Sequence, residues 1–213
     1  MQRFLAFLAL AALTGCASGG MNEAACSTAD WHAVGYEDGA AGKDISAFTA
    51  HRTACADHGV VANLESYRAG RDEGLLLFCR PANGYNLGSL GISYRGACPA
   101  DLEKGFAAAY SDGYGLYQRQ AALDGLTNRL ERKRSRAKAV ERLMAEKTAG
   151  LASGSLTPED IANTAVEIKQ LAEEQAQLAS DIKRLKREQA KADEDYRIYE
   201  AHLAGRASWA SRE

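Results

Sequence analysis

A heptad repeat occupies the second half of this chain, and no other feature limits its possible folds as much. Leu116, Leu123, Leu130, Ala137 and Met144 recur at one core position, with Leu126 and Val140 at the other, where Arg119 and Lys133 interrupt the seam. The stretch "TAGLASGSLTPED" then breaks the pattern, because Gly150, Gly154 and Pro158 suit a helix interior poorly. Within it Thr157 is a good N-cap, Pro158 fits a first helical position, and Asp160 stands where a capping-box acid would. The seam resumes through Ile161, Thr164, Ile168, Leu171, Gln175, Leu178, Ile182, Leu185, Gln189, Ala192, Tyr196, Tyr199 and Leu203. Apolar spacing sustained this far specifies a coiled coil. Two long helices joined by a short breaker fold back antiparallel, so residues 116–204 are expected to form a helical hairpin. Its basic run at 129–142 is expected opposite Glu167, Glu173 and Glu174, charges that set register more than stability.

Residues 26–115 obey a different grammar, rich in Gly, Cys and aromatic residues in short segments. Three short helices are expected: one capped by Ser27 or Thr28 and running through Trp31 to about Gly42, one capped by Ser46 and ending at His58-Gly59, and one capped by Asn63 and running to Phe78. Pro99 opens the first long helix. Between Cys79 and Cys98, Asn83-Gly84 signals a turn, and Leu90, Ile92 and Tyr94 alternate like a short strand, so a small Ω-loop or hairpin is expected. Trp31, Gly35 and Gly39 share one helix face, as do Tyr67, Gly70 and Gly74, and Tyr110, Gly113 and Tyr117. Each mid-helix glycine costs about 1 kcal/mol relative to alanine. Glycines repeated on one face beside an aromatic point to close helix approach. The carboxylates alternating with them, Glu37, Asp38, Asp72, Glu73 and Asp112, are expected mostly toward water.

Four cysteines lie in this region, Cys26, Cys55, Cys79 and Cys98, and an even set in an oxidising compartment reads as two disulfides. An antiparallel helix pair brings Cys26 to Cys55, and Cys79 and Cys98 close a short loop. His51, Cys55 and His58 have a spacing that suggests zinc, but an oxidised cysteine leaves no thiolate for metal or for nucleophilic catalysis. No metal, cofactor or catalytic set is expected. "NGYNLGSLG" is Gly-rich but follows no strand, so it is not a phosphate loop.

At the start, Arg3 precedes an apolar run from Phe4 to Leu13 that is too short to span a bilayer, which reads as a signal peptide over residues 1–15. Leu13-Thr14-Gly15-Cys16 resembles the lipobox of bacterial lipoproteins. That resemblance implies cleavage before Cys16 and its acylation, with 16–25 as a tether. Ala17, in place of a retention-type Asp, implies the outer membrane, facing the periplasm. Residues 205–213 form a tail. The formal net charge of −2 offers nothing to a nucleic acid.

The phrases "DWHAVGYEDGAAG", "AHRTACADHGV" and "YRAGRDEGLLLFCRPANGYNLGSLGISYRGACP" resemble lipoproteins of the domain of unknown function 2799 family, over roughly residues 26–115. The resemblance implies one module containing the glycine phrase and the cysteines, and implies no activity. The expected molecule is all-α, a small disulfide-stapled helical head with a long antiparallel coiled-coil hairpin. Its expected function is that of a lipid-anchored envelope scaffold or adaptor, non-enzymatic, binding a protein or the cell wall. The alternative is a head that binds a small ligand or metal, with hydrolytic activity as one form of it. The anchor has a direct test: Cys16→Ser is expected to leave a non-acylated protein in the soluble periplasmic fraction. If the variant still sediments with membranes after a high-salt wash, the lipobox reading fails.

Overall fold

A computed structural model describes residues 21–206; Cys16, the signal peptide and most of the tail lie outside the described residues. Seven helices follow in order: α1 (Glu23–Ser27), α2 (Trp31–Ala40), α3 (Ser46–Ala56), α4 (Leu64–Phe78), α5 (Pro81–Ser89), α6 (Ala100–Ala152) and α7 (Pro158–Arg206). The fold is all-α, and no strand occurs among the described residues. No helix among them is long and apolar enough to cross a membrane. The described residues divide into two compact units, 21–79 with Arg95–Pro99, and Arg80–Tyr94 with 100–206.

The first unit is built on α2 and α4. Asp30, not Ser27 or Thr28, caps α2, accepting hydrogen bonds from the backbone N–H groups of His32 and Ala33. The hydroxyls of Ser27 and Thr28 instead donate back to the Ala24 carbonyl and finish the separate short helix α1. At α3 the N-cap is Ile45 rather than Ser46, and the Asp44 carboxylate just before it accepts the Ser46 N–H. Asn63 caps α4 through the Ser66 N–H. Trp31, Phe48 and Tyr67 fill the core beside the Cys26–Cys55 disulfide, whose Cα atoms are 5.3 Å apart. The Phe48 ring contacts Trp31 edge-on at 6.2 Å and Tyr67 at 5.0 Å. A second disulfide joins Cys79 to Cys98.

In the second unit, the segment expected as an Ω-loop or hairpin is the helix α5. Pro81 sits in its first turn, where a missing N–H is harmless. The alternation of Leu90, Ile92 and Tyr94 has no strand beneath it, and Leu90 and Ile92 are exposed. The change of composition near residue 116 falls inside α6, which is continuous for 53 residues, about 80 Å at 1.5 Å per residue.

Helices α6 and α7 form the antiparallel hairpin. Leu130, Val140, Leu171, Leu178 and Leu185 are buried along its seam. Thr157 opens α7, its Oγ1 accepting the Asp160 backbone N–H and donating to the Asp160 carboxylate, after a turn with Gly154 at φ +68°. The two charged interruptions are answered from α7: Arg119 lies over the Tyr199 ring and pairs with Asp195 at 3.1 Å, and Lys133 pairs with Asp181 at 2.9 Å. That register corrects the expected charge pairing. Only Glu174 meets the basic run, through Arg136; Glu167 pairs with Lys147, and Glu173 with Lys169 on its own helix.

Candidate functional site

The glycine faces make the closest contact in the first unit. A Cβ on Gly35 would stand under 3.0 Å from the Tyr67 carbonyl, and one on Gly70 would meet the His32 carbonyl as closely. Gly39 faces the Arg71 carbonyl and Gly74 the Tyr36 carbonyl. Two glycines from α2 and two from α4 therefore oppose each other's backbone, and nothing larger than hydrogen fits between. Trp31 and Tyr67 are buried at the edge of this contact.

The same contact is built again in the second unit from α5 and α6. Gly84 faces the Phe106 carbonyl, Gly88 the Tyr110 carbonyl, and Gly113 the Tyr85 carbonyl, with Ala109 buried one turn earlier. The Tyr110 ring turns outward and stacks on Tyr114 at 5.8 Å. "GYEDGAAG" and "GYNLGSLG" carry Gly35, Gly39 and Gly42 in the same spacing as Gly84, Gly88 and Gly91. Both phrases end in one cap geometry. The N–H groups of Gly42 and Lys43 bond the carbonyls of Gly39 and Asp38, as those of Gly91 and Ile92 bond Gly88 and Leu87. Gly42 and Gly91 have φ of +67° and +69°, and each lies beneath an aromatic ring, Phe78 and Tyr117 respectively. On the facing helices Tyr67, Gly70, Gly74 and Phe78 match Phe106, Ala109, Gly113 and Tyr117 in spacing. The chain thus holds two copies of one glycine-packed helix pair. The repeated Gly-Tyr phrase is the signal that sequence reasoning missed.

One difference between the copies places a polar pair in the first. Where the second has Leu87 and Phe106, the first has Asp38 and Tyr67. Asp38 is 3 % exposed, against the expectation that the carboxylates beside the glycines face water. Close approach of α4 places it inside. Its Oδ2 accepts hydrogen bonds from Tyr67 Oη at 2.7 Å and His51 Nε2 at 2.8 Å, and its Oδ1 from Lys43 Nζ at 2.7 Å. Burial alone would push this carboxyl up; the hydrogen bonds from Lys43, Tyr67 and His51 outweigh it and hold the pKa below the ordinary aspartate value. Burial, and then donation to Asp38, push the Tyr67 hydroxyl well above its usual range. His51 Nδ1 is buried with no hydrogen-bond partner. One carboxylate thereby joins α2, α3, α4 and the loop after α2.

Such a carboxylate is saturated by donors, which suits a cross-link better than a proton-transfer base. The residues that suggested zinc are not brought together: Cys55 is in a disulfide, His51 is on Asp38, and His58 is exposed. No cluster of three His, Cys, Asp or Glu side chains able to hold a metal occurs among the described residues. Of the other carboxylates beside the glycines, Glu73 meets His32 at 3.3 Å on the exposed side.

Residues 30–115 match the model of a family described as a protein of unknown function (DUF2799). No curated protein and no solved structure matches the chain.

Two experiments follow from this geometry. Gly70→Ala is expected to destabilise by roughly 1–3 kcal/mol although alanine is the better helix former, because its Cβ meets backbone that cannot yield. Gly125→Ala, where the same atom meets open space, is expected to stabilise by up to about 1 kcal/mol. Equal effects in thermal melts would show that the α2–α4 contact is not close. For Asp38, the folded state holds the proton less tightly than the unfolded chain does. Its contribution is therefore complete above the unfolded pKa of about 3.9 and is lost as pH falls through the lower folded value. Asp38→Asn is expected to lower the melting temperature at neutral pH, and the gap from wild type is expected to close as the pH falls to about 2. A gap that stays constant with pH would show that the carboxylate charge contributes nothing.

Proposed function

Residues 30–115 match the DUF2799 family model, and for the chain that carries them we propose a non-enzymatic scaffold or adaptor role in the cell envelope. In this reading Cys16 carries the lipid that anchors the protein to the outer membrane, facing the periplasm. The α6–α7 hairpin is the arm that reaches a protein or cell-wall partner. The two disulfides accord with an oxidising compartment. The saturation of Asp38 favours a structural first unit over a ligand-binding one.

The observation that carries the reading lies near the turn of the hairpin. Leu143 on α6 and Ile161 and Val166 on α7 are 38 %, 46 % and 56 % exposed, although Ile161 continues the heptad seam. Apolar side chains that a helix pair leaves uncovered are the usual anchors for a further protein surface. Ile161→Glu combined with Val166→Glu is expected to leave the fold intact, because neither side chain is buried. The same pair of changes is expected to abolish the partners recovered by crosslinking in intact cells. Recovery of the same partners from the variant would place binding elsewhere and sink the arm reading.

A further inference from the structure

Midway along the hairpin, well before the turn, α6 and α7 enclose a groove of about 490 Å³ in which the charges do not balance. Arg129, Arg132, Lys133 and Arg136 line it from α6 and Arg184 from α7, against the carboxylates of Glu174 and Asp181. Five cationic and two anionic side chains line it, and Glu188, just outside, pairs with Arg184 at 2.9 Å, which leaves an excess of two positive charges. Both carboxylates are already engaged, Glu174 by Arg136 at 2.6 Å and Asp181 by Lys133 at 2.9 Å and Arg184 at 3.2 Å. Arg129 and Arg132 form no ion pair or hydrogen bond with any described residue. They stand one helical turn apart on one helix, so each repels the other, and Arg184, which shares the groove with them, is itself held by Asp181 and Glu188.

The same hairpin supplies a comparison. Another groove between α6 and α7, of about 480 Å³, sets Arg134 and Lys186 against Asp124 and Asp193, two charges of each sign. A groove of this size on the two-helix scaffold therefore does not require a charge excess. We propose that the groove at Arg129, Arg132 and Arg184 is a binding site for a phosphate group. A guanidinium presents planar paired donors that match phosphate oxygens bidentately. A phosphate monoester brings about 1.5 to 2 negative charges on one tetrahedral centre, enough to answer the two unpaired arginines together. A single side-chain carboxylate brings only one. The volume admits a phosphate ester or a phospholipid headgroup. This site is separate from the apolar tip that carries the adaptor reading and stands whether or not that reading does.

The test uses the full chain carrying Cys16→Ser, so that any acyl anchor is absent. Inorganic pyrophosphate is expected to raise the melting temperature by several degrees above chloride at equal ionic strength, when present at about a hundredfold its Kd. Arg129→Gln with Arg132→Gln is expected to abolish that shift. In chloride the same variant is expected to melt no lower than wild type, since it relieves repulsion and breaks no bond. Lys169→Gln, outside the groove, is expected to keep the shift. Sedimentation with phosphatidylglycerol vesicles, lost in the arginine variant, would identify a lipid headgroup as the source; a pyrophosphate shift without vesicle binding identifies a soluble ester. No phosphate-specific shift in the wild type overturns the site, even if vesicles bind, because that binding is then diffuse charge attraction. An equal shift in the arginine variant, or a variant destabilised in chloride, overturns it as well.

Discussion

Two helix backbones pressed together with no side chain between them are the constraint on which the rest of this structure depends. At Gly35, Gly39, Gly70 and Gly74 the distance between α2 and α4 is set by hydrogen atoms and carbonyl oxygens. A glycine inside a helix sacrifices about 1 kcal/mol of local preference. Four of them are tolerated because the close approach multiplies short-range dispersion contacts along both backbones. The approach also decides what the neighbouring positions see. Trp31 and Tyr67 become core, and Asp38, which a wider helix pair would leave in water, is sealed against α4 and α3.

The second copy of this contact serves as an internal comparison for the first. With Leu87 and Phe106 in the matching positions, α5 and α6 still meet backbone to backbone at Gly84, Gly88 and Gly113, so the glycine contact does not need a buried charge. Asp38 must therefore be understood through what it joins. A buried carboxylate is expensive unless its hydrogen bonds are satisfied, and here three donors from separate elements satisfy it. The interval between α2 and α4 contains α3, which supplies Phe48, His51 and Cys55. The shorter interval between α5 and α6 contains no helix. The polar link belongs with the additional element that it fastens.

The hairpin solves a different problem, that of choosing one register among several that a Leu- and Ala-rich seam would allow. Arg119 and Lys133 occupy core positions and find Asp195 and Asp181 on α7. A slip of one turn would leave both cations facing the seam without a counter-charge. Charged interruptions weaken a seam and specify its alignment. The alignment they enforce also sets Arg184 in the same groove as Arg129 and Arg132, and this is how a nearly neutral chain comes to hold a cationic groove.

The sequence by itself determined the helical class, the hairpin and several helix ends, because these rest on local rules. A heptad is a period of seven residues, and a cap such as Asn63 or Thr157 is a contact within one turn. Periodicity also puts Gly35 with Gly39, and Gly70 with Gly74, on single faces. Sequence could not make a helix of "PANGYNLGS", whose Asn-Gly pair and following alternation argue locally for a turn and a strand. That helix exists because α6 offers bare backbone on which Gly84 and Gly88 can lie. Only the tertiary structure decided that Asp38 is buried, while Glu37 beside it is exposed, and that the basic run faces Arg184 as well as Glu174. Each of these depends on the distance and register between two separate segments of chain. Such quantities are set by the sum of many weak contacts across an interface, and no window of consecutive residues contains them.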